Sequence, residues 1–440
     1  MDPDRAHCIL FAPPAAGSAA PPLFGLHLVE RTVLAFLRAG VHRFVLAGDA
    51  DTLKDVALTL ETGRCRHARV RVLGAGESLV SLLEREEACF VARTDYLYDR
   101  RLVARFVEDT RAAAATVASV DYRVEALAAQ DGASRTAGWG EAGPGGSLRA
   151  AGHGLLAPEG VLTGLARVTP SFARAFEDAP PQYRSIENAL TLLARREPVH
   201  TFAVAELWQS LRPDPGAQEA DVAVARRKVL GGVVGVSDGL VARHLNRPVS
   251  RRITERLLSR DVSPWQISLA SFGATLGAGL SFAVGHATTG GLIAQFAAVL
   301  DGVDGEVARI RYQDSPFGGV YDALLDRVGD AVLIGGMTFY AWLAGAGLSA
   351  VLLGFGAVAG SSLSMLVKEK YAAQFNRRYA AEREGRLRWL LLGRDGRLFL
   401  SLVAGLTGHV EAVLAYLAVG THVHAGVRIY RIRAETARVS

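Results

Sequence analysis

Cysteine and lysine are both rare in this 440-residue chain. The three cysteines, Cys8, Cys65 and Cys89, lie early and form no Cys-x-x-Cys pair, which excludes a disulfide framework. We expect them to be reduced, buried thiols on the cytoplasmic side. Only four of the 49 basic residues are lysine, so the net charge of +5 is carried almost entirely by arginine.

A secretory signal and a nucleic-acid-binding patch are also missing from the pattern. Residues 1–6 are acidic and polar, and prolines break the apolar stretch that follows, so no signal peptide is expected. The basic residues cluster beside long apolar runs. This placement argues against nucleic acid and favours lipid headgroups or phosphorylated substrates as partners.

Half of the residues are hydrophobic, but they are unevenly distributed. Residues 1–208 alternate short apolar strands with amphipathic helices, which predicts an α/β domain with a parallel sheet and helices on both faces. Strands are predicted at 8–12, 43–47, 70–73, 88–91 and 114–120, and helices at 28–39, 52–60 and 78–85. The weakly patterned, glycine-rich stretch 121–158 is predicted to be a loop or a surface insertion.

Six apolar runs follow in residues 263–440, which predicts an all-α transmembrane domain of six helices. The runs lie at 265–284, 290–310, 317–343, 347–367, 389–406 and 409–427. Arginine and lysine are concentrated in two of the connections and in the tail, so the positive-inside rule places both termini on the cytoplasmic side. Residues 209–262 are predicted to be a linker and a basic amphipathic helix lying along the membrane interface.

Four aspartates occur at helical spacing near the junction of the second and third runs. Asp301 and Asp304 are three residues apart, and Asp322 and Asp326 are four apart, so each pair lies on one face of a helix. Carboxylates in apolar surroundings are costly, and four that converge could not all stay ionised without cations. The pattern predicts a divalent metal site whose oxygen ligands favour Mg²⁺, Mn²⁺ or Ca²⁺ over Zn²⁺.

The string D-x2-D-G-x2-A-R-x8-G-x3-D-x3-D, from Asp301 to Asp326, resembles the signature of the CDP-alcohol phosphotransferases, and every fixed position is filled. The alternative is a charged helix end that caps two membrane spans, with Arg309 and Arg311 pairing the acids. That alternative predicts neither the glycines nor the second acidic pair. The resemblance implies that an alcohol hydroxyl attacks the β-phosphorus of a CDP-alcohol and releases CMP on the cytoplasmic side.

The same resemblance implies roles for individual residues. Two Mg²⁺ or Mn²⁺ ions would be held by the four aspartates, and Asp326 would be the general base. The residues expected to contact the CDP group are Asp301, Asp304, Gly305, Ala308, Arg309 and Gly318. The resemblance also implies that the protein forms a homodimer.

Two groups of arginines are candidate ligands for a phosphate on the acceptor alcohol, which suggests a phosphorylated polyol such as inositol phosphate. Arg247 lies in an Asn-Arg-Pro-x-Ser run, directly before Arg251, that resembles the segment linking the two domains of bifunctional inositol-phosphate cytidylyltransferase/di-myo-inositol phosphate phosphate synthases. Anchoring to anionic lipid is the alternative. Arg394 and Arg397 lie near the cytoplasmic end of the fifth run, where snorkelling with an Arg–Asp pair is the alternative.

The first domain resembles sugar-nucleotide or inositol-phosphate nucleotidyltransferases, through residues 28–40 and the segment 93–99 around Asp95. Such enzymes need a glycine-rich loop with basic residues to hold a triphosphate. Here residues 13–22 form a proline- and alanine-rich loop, and no arginine or lysine follows it before Arg31. We therefore predict that this domain has lost nucleotidyl transfer, and Asp95 is equally well explained as a strand-end cap.

Three hypotheses for the whole chain remain. The first is a membrane CDP-alcohol phosphotransferase with a degenerate soluble domain, and a phospholipid synthase that uses CDP-diacylglycerol would share its core. The second is a bifunctional enzyme that also makes CDP-inositol from CTP and inositol phosphate. The third is a transporter or metal channel, which predicts polar residues through to the far side of the membrane. Alanine, leucine and glycine predominate there, which argues against the third hypothesis.

Overall fold

The computed structural model describes most of the chain and divides it into two units, Met1–Gly232 and Val233–Ser440. The described residues are 6–12, 22–48, 50–61, 64–74, 77–84, 88–123, 139–143, 146–152, 160–180, 183–204, 207–211, 215–233, 239–375, 379, 385, 387 and 389–436. Each unit has its own hydrophobic core.

The first unit is built on a mixed sheet that has nine strands within the described residues. In chain order they are β1 (Ala6–Phe11), β2 (Arg43–Ala47), β3 (Arg69–Val72), β4 (Ala88–Arg93), β6 (Val117–Asp121), β7 (Trp139–Gly143), β8 (Ser147–Gly152), β9 (Gly160–Val168) and β10 (Val199–Val204). Across the sheet the order is β3-β2-β1-β4-β9-β6-β10-β8-β7. Two short strands, β5 (Tyr96–Tyr98) and β11 (Trp208–Ser210), form a separate antiparallel ribbon.

The sheet confirms the α/β class but corrects the parallel arrangement. The pairs β1–β2, β2–β3 and β1–β4 are parallel, whereas β9 runs antiparallel between β4 and β6. The prediction that 121–158 is only a loop or insertion is also wrong in part, because β7 and β8 form an antiparallel pair there. Glycine weakens intrinsic strand propensity, so these strands depend on pairing with β9 and β10, which no local pattern reveals.

The helices of the first unit cover the buried strands. They are α1 (Leu28–Arg38), α2 (Ala50–Glu61), α3 (Leu79–Leu83), α4 (Arg100–Thr110), α5 (Pro170–Asp178), α6 (Ile186–Ala194) and α7 (Pro215–Gly231). Phe36 of α1 and Phe106 of α4 both pack on Phe90 of β4, with ring centroids 5.9 and 6.3 Å apart. Burial on both faces explains why the central strands are almost continuously apolar.

All the regular secondary structure of the second unit, within its described residues, is helical. A π-helical turn at Ala242–Asn246 leads into α8 (Arg247–Leu258) and then α9 (Pro264–Ala283), α10 (Ala287–Ile310), α11 (Pro316–Ala341), α12 (Gly347–Phe375), α13 (Arg394–Thr407) and α14 (Val410–Thr436). Small residues allow these helices to pack closely. A Cβ on Gly336 of α11 would collide with the carbonyl group of Gly279 in α9, so neither position accepts a larger residue without a shift.

Two helical stretches within the described residues are long and apolar enough to cross a membrane, Pro316–Phe375 and Val410–Thr436. The first contains α11 and α12 and is broken at Gly345, whose φ is 99°. The prediction of six spans therefore stays a prediction. In particular, α13 has 14 residues and begins only at Arg394. At 1.5 Å per residue it is roughly 20 Å long, short of the ~30 Å hydrocarbon core.

Candidate active site

The acidic motif lies on two consecutive helices, α10 and α11, that are joined by a tight connection. Tyr312 in this connection adopts a positive φ of 54°, and Ser315 caps α11. The Ser315 Oγ accepts a hydrogen bond of 3.0 Å from the Gly318 backbone N–H. Pro316 supplies the first residue of α11, where its missing N–H is not needed. This tight connection reverses the direction of the chain, so that the second acidic pair can face the first.

Three of the four predicted metal ligands come together. One carboxylate oxygen from each of Asp301, Asp322 and Asp326 lies within 4.8 Å of the others. Asp304 is not part of this trio, because it is directed at α9. Its Oδ2 accepts a hydrogen bond of 2.5 Å from Ser268 Oγ, and its Oδ1 is bound by the Gly305 N–H. Asp304 nevertheless lines the same cavity as the other three aspartates.

Arg394, the first residue of α13, bridges the two acidic helices. Its Nη1 lies 2.6 Å from Asp301 Oδ1, and its Nη2 lies 2.8 Å from Asp326 Oδ1. The side chain of Arg394 is only 14% exposed, so these ion pairs are shielded from water. The guanidinium of Arg394 thus places a positive charge among the carboxylates, which offsets their mutual repulsion.

A cavity of about 410 Å³ opens beside the three aspartates. Its wall combines acidic, basic and small residues from α8, α10, α11, α12, α13, α14 and the segment that precedes α8. Besides the three aspartates, the wall includes Gly239, Arg247, Ser250, Gly302, Asp304, Gly305, Arg309, Lys368, Arg394, Asp395 and His424. The volume lies within the range of small-molecule sites, ~300–1,000 Å³.

The predicted CDP contacts divide into two groups. Asp301, Asp304, Gly305 and Arg309 line the cavity. A Cβ at Gly305 would lie 2.9 Å from Arg309 Nη1, so glycine leaves space for that guanidinium. Ala308 and Gly318 are not among the residues of the cavity wall in the described part of the chain. Gly318 is exposed in the first turn of α11.

The four predicted acceptor arginines also differ in position. Arg247 and Arg394 line the cavity, whereas Arg251 and Arg397 are absent from its wall as described. Arg397 is buried; its Nη2 pairs with Asp330, and its Nη1 donates a hydrogen bond of 3.1 Å to the Leu392 carbonyl oxygen. These contacts hold the start of α13 against α11, and with it Arg394.

The donor set suits a hard divalent cation. The grouped atoms are carboxylate oxygens, and their carriers, Asp301, Asp322 and Asp326, are only partly exposed. Oxygen-only ligands are typical of Mg²⁺ and Mn²⁺ sites. The arrangement therefore fits the metal chemistry that the sequence predicted, while the identity and the number of ions stay predictions.

Two further carboxylates, Asp395 on the cavity wall and Glu306 against Arg247, were not among the predicted site residues. Glu306 is 1% exposed and lies within the motif itself, but its position has no fixed identity in the signature. Asp395 Oδ2 accepts a hydrogen bond of 2.9 Å from the Ala242 N–H and so joins α13 to the segment before α8. The burial of Glu306 could have been suspected from its place in an apolar helix, whereas the partner of Asp395 is 153 residues away and left no local signal.

The first unit contains a second group of charged residues, at the carboxyl end of β4. Arg93 binds both carboxylate oxygens of Asp95, with Nε to Oδ1 at 3.0 Å and Nη2 to Oδ2 at 2.8 Å. Arg93 Nη1 lies 3.3 Å from Glu187 Oε1, and the guanidinium packs over the Tyr96 ring. The aspartate that resembles a metal ligand is therefore neutralised by Arg93, the last residue of β4, two positions before it.

Comparisons with known proteins agree with the reading of the second unit. Residues 263–424 match the family model described as CDP-alcohol phosphatidyltransferase. A protein of Rubrobacter xylanophilus named bifunctional IPC transferase and DIPP synthase is 38% identical over 210 residues, 45% of this chain and 46% of that protein. A protein of the same name from Aquifex aeolicus is 27% identical over 65% of this chain and 64% of that protein.

The chain thus spans about half to two thirds of the length of these relatives. Among solved structures, the inositol-1-phosphate CTP transferase of T. maritima is similar over 52% of this chain and 97% of its own, at 15% identity. The TM-score is 0.36.

Proposed function

We propose that the second unit is a metal-dependent CDP-alcohol phosphotransferase that works in a membrane. The observation that carries this proposal is the convergence of Asp301, Asp322 and Asp326 within 4.8 Å at the wall of a cavity of about 410 Å³. Three carboxylates on two adjacent helices, beside arginines and a lysine, suit a substrate that brings phosphates with cations. The transferred group is the alcohol-linked β-phosphate of the CDP-alcohol.

The proposed reaction is a displacement at the β-phosphorus. Asp326 accepts the proton of the acceptor hydroxyl while the hydroxyl oxygen bonds to the β-phosphorus, and the bond to the CMP oxygen breaks. Asp301, Asp304, Asp322 and Asp326 would hold divalent cations, which would supply positive charge to the pyrophosphate and the leaving CMP. Arg309 binds phosphate oxygens from the cavity wall, and Gly305, which has no side chain, lets the donor approach α10.

For the acceptor, we propose a phosphorylated polyol such as inositol phosphate. Arg247, Lys368 and Arg394 all line the cavity, so three positive charges lie beside the space in which a phosphate group would bind. Arg397 supports Arg394 through its contacts with Asp330 and Leu392, and Arg251 would add charge from the neighbouring turn of α8. A phospholipid synthase that uses CDP-diacylglycerol as donor is the alternative for the same core.

We propose further that the unit is integral to the bilayer, with six spans, and that both termini and the motif face the cytoplasm. The apolar stretches Pro316–Phe375 and Val410–Thr436 support membrane insertion. The charge of the connecting loops supports the orientation. A homodimer is part of this proposal through the family resemblance alone.

The test is an assay of CMP release by the purified full-length protein in detergent. Donors would be CDP-inositol, CDP-diacylglycerol and CDP-glycerol, and acceptors inositol phosphate, inositol and glycerol phosphate. We expect CMP only with a matched pair and Mg²⁺ or Mn²⁺, and a loss of about a hundredfold or more in Asp326→Asn.

Asp261→Asn is the matched control, because Asp261 is an exposed residue between α8 and α9. Full activity of Asp326→Asn would remove that residue from the chemistry. No CMP release with any pair would overturn the proposed function itself.

A further inference from the structure

Glu306 holds an unusual position in the motif helix. Its side chain is 1% exposed, and it collects three hydrogen bonds from one neighbouring helix, α8. Arg247 Nη1 donates at 2.6 Å and Ser250 Oγ at 2.8 Å, both to Oε1, while Thr254 Oγ1 donates at 2.6 Å to Oε2. Both carboxylate oxygens are thus bound, which is what a buried charge requires.

The three donors form one face of α8, because residues 247, 250 and 254 follow the i, i+3, i+7 spacing of a helix. The residues that α8 buries are Arg247, Ser250, Thr254 and Leu258, so the docked face is largely polar. Apolar burial therefore contributes little to the placement of this helix.

The same contact continues one turn earlier along α10. Arg247 Nη1 also donates to the Gly302 carbonyl oxygen at 3.3 Å, and a Cβ at Gly302 would lie 3.4 Å from that nitrogen. Gly302 and Glu306 thus form a docking face on α10, about 150° around the helix from the face of Asp301 and Asp304. Arg247 and Ser250 belong both to this contact and to the cavity wall.

We propose that Glu306 is a positioning residue: it fixes α8 on the motif helix and thereby presents Arg247 to a phosphate group of the substrate in the cavity. This inference rests on the proposed function for the substrate, but the docking of α8 by Glu306 does not. Glu306 does not touch the reacting atoms in this scheme. Its effect passes through Arg247.

The docking is tested by hydrogen–deuterium exchange of the full-length protein in detergent. We expect Glu306→Ala to raise amide exchange in residues 247–258 by about tenfold or more, and Glu306→Gln to raise it less, because the amide oxygen keeps one acceptor. Glu255→Gln, an exposed carboxylate on the same helix, is the matched control and should exchange as the unmodified protein does. Unchanged exchange in Glu306→Ala would overturn the proposal.

Steady-state kinetics separate positioning from mere stability. In Glu306→Gln we expect the KM of the substrate whose phosphate Arg247 binds to rise by about tenfold, with kcat within about twofold. Arg247→Gln should show the same change, and the double variant should be no worse than either single one. Fully additive effects, or a loss in kcat alone, would contradict the proposed route through Arg247. If the unmodified protein turns over no CDP-alcohol, the proposed function fails while the exchange result still decides whether Glu306 docks α8.

Discussion

Arg394 and Asp326 form an ion pair of 2.8 Å between the start of α13 and the last aspartate of the motif. The same guanidinium reaches Asp301 at 2.6 Å, so one positive charge joins α10 and α11. This arrangement makes Arg394 the internal partner of carboxylates that would otherwise repel one another.

The first prediction concerns the stability of this arrangement. Arg394→Gln leaves partly buried carboxylates without their partner, which typically costs about 3–5 kcal/mol. We expect a lower unfolding temperature in EDTA and a smaller loss in Mg²⁺, because a divalent cation replaces the missing charge. Thermal unfolding in detergent measures both, with the exposed Arg256→Gln as control. Equal unfolding temperatures for Arg394→Gln and the unmodified protein in EDTA would show that the bridge contributes nothing.

The second prediction concerns metal removal. Chelation with EDTA should abolish CMP release, and Mg²⁺ or Mn²⁺ should restore it, because the donor atoms are carboxylate oxygens. Asp301→Asn and Asp322→Asn should each raise the Mg²⁺ concentration for half-maximal activity by more than about tenfold. Asp261→Asn should leave it unchanged. Full activity in EDTA after exhaustive dialysis would refute the metal requirement.

The sequence predicted best those features that depend on residues within a single helix or strand. The predicted strand at 43–47 coincides with Arg43–Ala47, and the predicted helix at 28–39 ends one residue from Arg38. Helical spacing likewise anticipated that Asp322 and Asp326 share a face. These features depend on periodicity within one element, which is legible in a single sequence.

Long-range partners could not be derived in this way. The antiparallel insertion of β9 between β4 and β6 was missed because pairing between distant strands leaves no local mark. Nor could spacing show that Arg394 would lie on Asp301 and Asp326, or that Glu306 would bind α8. Both contacts join residues at least 50 positions apart, and packing of the whole unit decides them.

The third prediction concerns the first unit, where Arg93 occupies both oxygens of Asp95. With that carboxylate neutralised, and with no basic residue in the loop after the first strand, we expect no pyrophosphate release from CTP and inositol phosphate. The measurement uses the full-length Asp326→Asn variant, so that the second unit does not consume the product. Pyrophosphate release that disappears in Asp95→Asn would show instead that the chain is bifunctional.

The fourth prediction concerns the three cysteines, all of which are buried, as the sequence predicted. Burial, together with the charge of Glu30, raises the pKa of Cys65 to about 12, and burial raises that of Cys8 as well. The reactive thiolate is therefore scarce at pH 8. We expect Ellman's reagent to label less than about a tenth of the thiols in the folded protein. All three should react in denaturant, and rapid labelling of a folded thiol would contradict the buried placement.

The last prediction uses a buried carboxylate outside the helical unit. Asp121 at the end of β6 accepts hydrogen bonds from Arg123, with Nη2 at 2.6 Å, and from Trp208 Nε1 at 2.9 Å. Burial acts to raise the pKa of Asp121, but the hydrogen bonds from Arg123 and Trp208 outweigh it and lower the pKa below its usual range. Because the folded pKa lies below the unfolded value of about 3.9, this group stabilises the fold above pH ~4. The stabilisation is lost as the pH falls through the folded pKa.

Asp121→Asn should therefore destabilise the protein by about 1–3 kcal/mol at pH 7. The difference from the unmodified protein should shrink only below about pH 4, where the aspartate of the unfolded chain is protonated. Urea unfolding followed by circular dichroism at a series of pH values measures this. Asp109→Asn removes a half-exposed carboxylate and is the matched control. A difference that is constant down to pH 2, or absent at pH 7, would mean that the Asp121 contacts do not stabilise the sheet.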